Sequence, residues 1–287
     1  MKRLLAVSML LLTVGNLRAE LPTAETIYGV VQDYLARRPS KGYGVTLDMD
    51  EALVVQRGFV AGLMPDLGKP VGYKVGLVTR AMQERFHTTQ PVRGVLLEKM
   101  LVSDHAEVPA NFGVNLLLEA DLIVTVKDKG IHNATTPLEV VKHLKDVVAF
   151  IELPDSFLAT NVPMDAAMLT AVNVGARLGV VGQRIPVKGN QKFVDALAAM
   201  TVSLTDETGK TLGKAQGLTI LDHPLNAVLW LVEDLHQAGI TLKPGDMLSL
   251  GSVMMMPSVP VGKKITVHYD GLPGGPIRVS VSFRAVP

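Results

Sequence analysis

The sequence predicts an α+β protein, one domain around a large mixed sheet or β-roll with a helical N-terminal portion. Three observations lead there. Two helical patterns open the chain after residue 20, nine strand-like runs follow from residue 70, and only two further helical patterns interrupt those runs. A doubly wound parallel sheet would place a helix between most strands, so the pattern argues against one. The boundaries read as a signal segment over 1–19, a helical portion over 20–70 and a core over 71–287.

Each element follows from local chemistry. The stretch "MKRLLAVSMLLLTVGNLRAELP" joins a basic start (Lys2, Arg3) to an apolar run, Leu4–Val14, and offers Ala19 as a cleavage point. That run is far short of the roughly 20 residues that a spanning helix needs. The expectation is a secretory signal and a periplasmic or secreted mature chain that leaves the membrane once cleaved. "TAETIYGVVQDYLARRPS" places Ile27, Val30, Val31 and Tyr34 on one side of a helix. "DMDEALVVQRGFVAGLMPDLG" is a second helix, with Asp48 or Asp50 as cap and Pro65 and Gly68 as its end. "TPLEVVKHLKD" and "HPLNAVLWLVEDLHQAG" are the two later helices, the second running from Asp222 and Pro224 to Gly239. Asp206 and Gly209 mark a hairpin turn within "MTVSLTDETGKTLGKAQG".

Composition narrows the function classes. A net charge of +1 and 5% aromatics give no electrostatic footprint for nucleic acid, so a small molecule is the expected partner. The chain has no cysteine, which excludes disulfides, a lipid-modified cysteine and thiol chemistry. None of the histidines has metal-ligand spacing, and His223 reads as a helix-start residue.

The informative stretch is "LLEADLIVTV", Leu117–Val126. Side chains alternate along a strand, so Leu117, Glu119, Asp121, Ile123 and Thr125 share one face. Two acids then stand roughly 7 Å apart, at about 3.3 Å per residue. Either this is a solvent-facing strand, or a cation relieves their repulsion; hard divalent ions prefer such oxygens. In "GYKVGLV", Lys74 shares its face with Gly72 and Gly76, which lets a ligand or another backbone approach it closely; the alternative is an edge-strand lysine that blocks aggregation. "FIELPDSF" sets Glu152 at a strand end.

These stretches, with "TTQPVRGVLL", "DHPLNAVLWLVEDL" and "LKPGDMLSLGS", resemble the 2-keto-4-pentenoate hydratase and 4-oxalocrotonate decarboxylase branch of the fumarylacetoacetate hydrolase superfamily, over roughly residues 47–283. The resemblance implies a fumarylacetoacetase C-terminal-like core and magnesium or manganese held by Glu119, Asp121 and Glu152. It implies Lys74 as the catalytic residue, with Gln90, Arg93 and Ser252 at the substrate. The implied activity is a hydro-lyase adding water to a short 2-hydroxydienoic (2-oxo) acid through a metal-bound enolate, in a homo-oligomer. A decarboxylase, an acylpyruvate-type hydrolase and a secreted anion-binding homologue without turnover are the alternatives. Three departures stand out: Asp121 replaces the usual glutamate, "QPVRG" puts Val92 where the family carries a carboxylate, and "SVMMMPSVPVG" is unusually apolar.

Overall fold

In the computed structural model, residues 21–256 and 258–285 are described; the signal segment expected over 1–19 lies outside them. The elements are α1 (Ala24–Leu35), α2 (Met49–Leu67), β1 (Pro70–Gly76), α3 (Arg80–Arg85), β2 (Val92–Leu97), β3 (Leu101–Ser103), β4 (Ala106–Pro109) and β5 (Leu118–Val126). There follow α4 (Pro137–Lys142), β6 (Leu144–Leu153), α5 (Ala166–Ala171), β7 (Leu178–Pro186), α6 (Gln191–Ala199), β8 (Thr201–Asp206), β9 (Thr211–Gln216) and α7 (Pro224–Gln237). The chain closes with β10 (Met247–Ser249), β11 (Met254–Met256), β12 (Lys264–Asp270) and β13 (Ile277–Arg284). No helix among the described residues is long and apolar enough to cross a membrane.

The fold is the expected α+β arrangement. One mixed sheet runs β2-β1-β10-β5-β6-β7-β3, with β11 also paired to β5, and a second runs β4-β13-β12-β8-β9. Their inner faces share one core, which α4, α6 and α7 help to close. The Tyr269 hydroxyl of β12 sits at the junction, fully buried and hydrogen-bonded to the Asp121 carbonyl and, at 2.8 Å, to that of Phe150. Asp121 and Phe150 are register partners in β5 and β6, so one phenol pins both strands at one level. Tyr269→Phe would remove the one hydroxyl hydrogen that these two buried carbonyls share, at about 1–3 kcal/mol. Thermal unfolding is expected to show a lower midpoint for this variant; an unchanged midpoint would mean that the phenol does not brace the strands.

The helical portion has its own cluster. Thr23 caps α1, accepting from the Thr26 amide, and Asp48 and Glu51 form a reciprocal capping box at α2. Val30, Val31 and Tyr34 of α1 meet Ala52, Val55, Phe59 and Leu63 of α2, and α5 and Phe157 complete the layer. The buried Gln56 amide donates to Arg93 O at 2.6 Å and Thr170 O at 2.9 Å, tying α2 to β2 and α5.

Several expectations need correction. α2 runs through Pro65 to Leu67: proline removes one bond to the Ala61 carbonyl, but both residues are exposed and water can serve that carbonyl. "TPLEVVKHLKD" is helical only to Lys142, because Leu144 already belongs to β6. The short α3, α5, β4 and β11, and the nine-residue α6, left no pattern that alternation or helical periodicity picked out.

Candidate active site

β1 is an inner strand, flanked by β2 on one side and β10 on the other, so Lys74 is not an edge lysine. Its two glycine neighbours are dictated by close approach. A Cβ on Gly72 would lie 1.9 Å from the Met247 carbonyl oxygen of β10, and one on Gly76 would lie 2.5 Å from Val174 Cγ1. Lys74 reaches across to β6 with its side chain 3% exposed, and its ammonium pairs with the Glu152 carboxylate. It also donates to the Val174 carbonyl at 3.0 Å.

The turn that offers this carbonyl is strained. Asn173, Val174 and Gly175 all have positive φ (58°, 54° and 64°), and a β-branched residue rarely adopts that conformation. The Asn173 side chain holds the turn in place, accepting from Val95 N at 2.7 Å and donating to Val95 O at 2.9 Å.

β5 and β6 bring the acids together: Glu119 is paired in register with Glu152, and Asp121 follows two residues on. The solvent-facing reading of this strand fails, since Asp121, Ile123 and Thr125 are all buried. β10 and β11 both pair with β5, but the chain leaves the ladder between Ser249 and Met254, at the level of Asp121. That gap opens the sheet beside the acids. Asp121 accepts from the Ser249 hydroxyl, a fully buried partner that the sequence reading missed; alternation within "DMLSLGS" does not reveal that it faces an acid on another strand.

Charge defines the site. Burial, then the neighbouring Glu152, push the Glu119 carboxyl up to about 8, with Lys74 opposing. The same two causes raise Asp121 to about 7, against the Ser249 and Leu122 hydrogen bonds. Burial disfavours the Lys74 ammonium, but Glu152, Glu119 and Asp121 together outweigh it and hold its pKa above the ordinary lysine value. Three acids therefore face one lysine, and Glu152 Oε2 is buried with no hydrogen-bond partner among the described residues.

This donor set fits a hard divalent cation in charge and chemistry. It is not a finished cage. Among the described residues no three acidic or imidazole side chains already converge around one point, because Lys74 holds Glu152.

The site opens into a cavity of about 280 Å³, with Lys74, Glu119 and Ser252 among its polar lining. The Ser252 hydroxyl caps its own turn, donating to Met254 O at 2.7 Å. Asp155 also lines the cavity but is consumed by structure, accepting from the Val114 and Asn115 amides and from Arg177.

Two expected substrate contacts are not brought here. Arg93 is opposite Val75 in the β1–β2 register, whereas Lys74 is opposite Gly94, so alternation sends Arg93 to the other face, where it pairs with Asp234 of α7. Gln90 is exposed in the turn before β2, outside the cavity lining. Val92 packs with Leu77, Ala166 and Val174 in a small apolar cluster beside the cavity. His223 caps α7 as expected, its Nδ1 accepting from Leu225 N at 3.0 Å.

No family model matches the chain. A 2-keto-4-pentenoate hydratase of Paraburkholderia phymatum is 29% identical over 214 residues, covering 74% of this chain and 78% of that protein. Among solved structures, 4-oxalocrotonate decarboxylase from Pseudomonas putida G7, complexed with magnesium and adipate, superposes with a TM-score of 0.76 at 22% identity, over 91% of this chain and 98% of that one. Fumarylpyruvate hydrolase from Pseudomonas aeruginosa, in complex with Mn2+ and pyruvate, gives 0.53 at 18% identity, over 74% and 88%.

Proposed function

We propose that this chain, a homologue of the 2-keto-4-pentenoate hydratases with the fold of the fumarylacetoacetate hydrolase superfamily, is a divalent-metal-dependent lyase that adds water to a short unsaturated 2-oxo acid. The observation that carries the reading is the group of buried Asp121, Glu152 and Lys74 with half-buried Glu119, beside a cavity. Glu119, Asp121 and Glu152 would hold the cation, which supplies Lewis-acid charge for the substrate's carboxylate and 2-oxo oxygens.

The remaining work falls to the chain. Tautomerisation of a 2-hydroxydienoate moves a proton from the 2-hydroxyl to carbon, and hydration then adds water across the conjugated double bond. Among the described residues, Lys74, Glu119 and Asp155 are the titratable side chains lining the cavity; Asp155 is held by Arg177, whereas Lys74, released from Glu152 when that carboxylate takes a cation, can carry that proton. Its positive charge also favours the electron-rich dienolate form. The largely apolar lining lowers the local dielectric, which strengthens both effects.

The test is a magnesium titration at two pH values. In the metal-free protein Glu119 and Asp121 stay protonated to about 8 and about 7, above their unfolded values. The native state then binds more protons than the unfolded chain, so this group's contribution to stability falls as pH rises through that window. Magnesium must displace those protons, so calorimetry is expected to show binding at least about tenfold tighter at pH 8.5 than at pH 6. Saturating magnesium at pH 8.5 is expected to raise the unfolding midpoint by about 5–10 °C, from about 2.7 kcal/mol at a hundredfold excess over Kd. Glu119→Gln should abolish the binding; wild-type affinity in that variant removes the metal reading. Loss of dienoate absorbance with a product heavier by one water supports hydration, whereas loss of carbon dioxide assigns the decarboxylase instead.

A further inference from the structure

A second cavity, of about 420 Å³, opens at the far end of the β5–β6 pair from the acids. Lys127 follows the last residue of β5, Lys142 ends α4, and Lys145 is the second residue of β6; all three line the cavity and all are exposed. Lys127 lies six residues beyond Asp121, and Lys145 seven before Glu152. At about 3.3 Å per residue, that is roughly 20 Å from the first site. Backbone pairing assembles the lysines: the Lys127 amide donates to the His143 carbonyl at 2.8 Å, and the Val187 amide donates to the Lys145 carbonyl at 3.0 Å. The loop from β7 to α6 closes a third side at Gly189, where a Cβ would lie 3.2 Å from Cα and Cγ of Lys142.

No acid lines this cavity. The neighbouring carboxylates are engaged elsewhere. Asp128 is hydrogen-bonded to His143 Nδ1 at 2.7 Å and accepts from the Gly130 amide at 2.9 Å. Glu139 accepts from the Thr135 and Thr136 amides, and Asp146 lies 3.4 Å from Arg184. Among the described residues, none of the three lining ammonium groups has an ion pair. An ordinary solvated face intersperses both signs, which relieves the mutual repulsion of its lysines. Here three like charges from three elements meet in a concave space without that relief.

We propose that the cavity lined by Lys127, Lys142 and Lys145 binds a compact oligophosphate, a diphosphate or triphosphate group that is free or carried by a nucleotide. The proposal is independent of the 2-oxo acid reading. A cleft lined by one sign of charge focuses its field, so a ligand with several negative charges close together gains from all three lysines at once. A single carboxylate gains from one at a time. Lysine is a compact point charge with three donors on a flexible stem, which suits phosphate oxygens without fixing one geometry. A planar carboxylate would be matched better by the arginine fork, and no arginine lines the cavity.

Calorimetry with the full chain would compare orthophosphate, pyrophosphate, tripolyphosphate and ATP, without added divalent metal so that the phosphates are not chelated. Tripolyphosphate is expected to bind at least about tenfold tighter than orthophosphate. Its affinity should fall about tenfold as ionic strength rises from about 0.01 M to about 0.15 M, because screening shortens from about 30 Å to about 8 Å. Lys127→Gln, Lys142→Gln and Lys145→Gln should each weaken tripolyphosphate by about fivefold, and the triple variant should lose it. Lys210→Gln combined with Lys214→Gln removes two exposed charges at the β8–β9 hairpin instead, and should leave binding within about twofold of wild type. ATP binding as tightly as tripolyphosphate assigns the site to nucleotide phosphates, and weaker ATP assigns it to free oligophosphate; either result upholds the proposal. Folded wild type that binds neither pyrophosphate nor tripolyphosphate, or an equal loss in the hairpin variant, overturns it. So does retention on phosphatidylglycerol vesicles that tripolyphosphate fails to displace, since the lysines would then serve a membrane surface.

Discussion

Lys74→Met is expected to lower kcat by about 10³, while magnesium binds the variant more tightly than it binds the wild type. The two effects have opposite signs for one physical reason. The Lys74 ammonium is the cation that now neutralises Glu152, so an added divalent ion competes with it for that carboxylate. Methionine matches the stem of lysine but neither competes for Glu152 nor carries a proton. A proton-transfer group of this kind contributes about 10² to 10⁴ in rate. The metal-free variant would leave Glu152 buried without its partner, at about 3–5 kcal/mol, and magnesium should recover most of that stability. Calorimetry, thermal unfolding with and without chelator, and steady-state kinetics read the three quantities separately. Weaker magnesium binding in the variant would show that Lys74 supports the cation rather than competing with it. An unchanged kcat would remove Lys74 from the chemistry.

Arg177→Met is expected to cost about 3–5 kcal/mol of stability, and a fall of roughly 10 °C in the unfolding midpoint. Arg177 is 9% exposed and reaches a wholly buried Asp155 carboxylate at 2.8 Å. It also donates to the Tyr34 carbonyl at 2.9 Å, and its guanidinium lies 3.6 Å from the centre of the Tyr34 ring. One side chain thereby joins α1 to the strand end that carries Glu152. Without it, Asp155 keeps the Val114 and Asn115 amides, at 2.9 and 2.8 Å, but loses its counter-charge. Arg177→Lys should recover part of the loss, since it restores charge but not the planar stack. A midpoint within a degree or two of wild type would mean that Asp155 tolerates burial on backbone hydrogen bonds alone.

Much of this arrangement was legible in the order of the residues. Alternation along Leu118–Val126 put Glu119 and Asp121 on one face, and the structure keeps them there. The glycines beside Lys74 indicated a close approach, which the β10 backbone and Val174 make. What failed did so for a reason. The resemblance of "QPVRG" to the family motif implied Arg93 at the substrate; Arg93 is opposite Val75 while Lys74 is opposite Gly94, so strand alternation puts the two side chains on opposite faces. Ser249 was missed because its partner, Asp121, is 128 residues away along the chain. The strained Asn173–Gly175 turn carries no local signature, since its conformation is imposed by Val95 and Lys74.

Sequence alone determined the elements with strong periodicity, the charge types available, and which side chains share a strand face, because these depend on neighbours within a few residues. Tertiary structure decided that Asp121 and Glu152 are buried with Glu119 half-buried beside them, that Lys74 rather than a solvent ion neutralises Glu152, and that a cavity opens at this group. Those outcomes depend on desolvation and on distances between strands far apart in the chain, and only the assembled sheet fixes both.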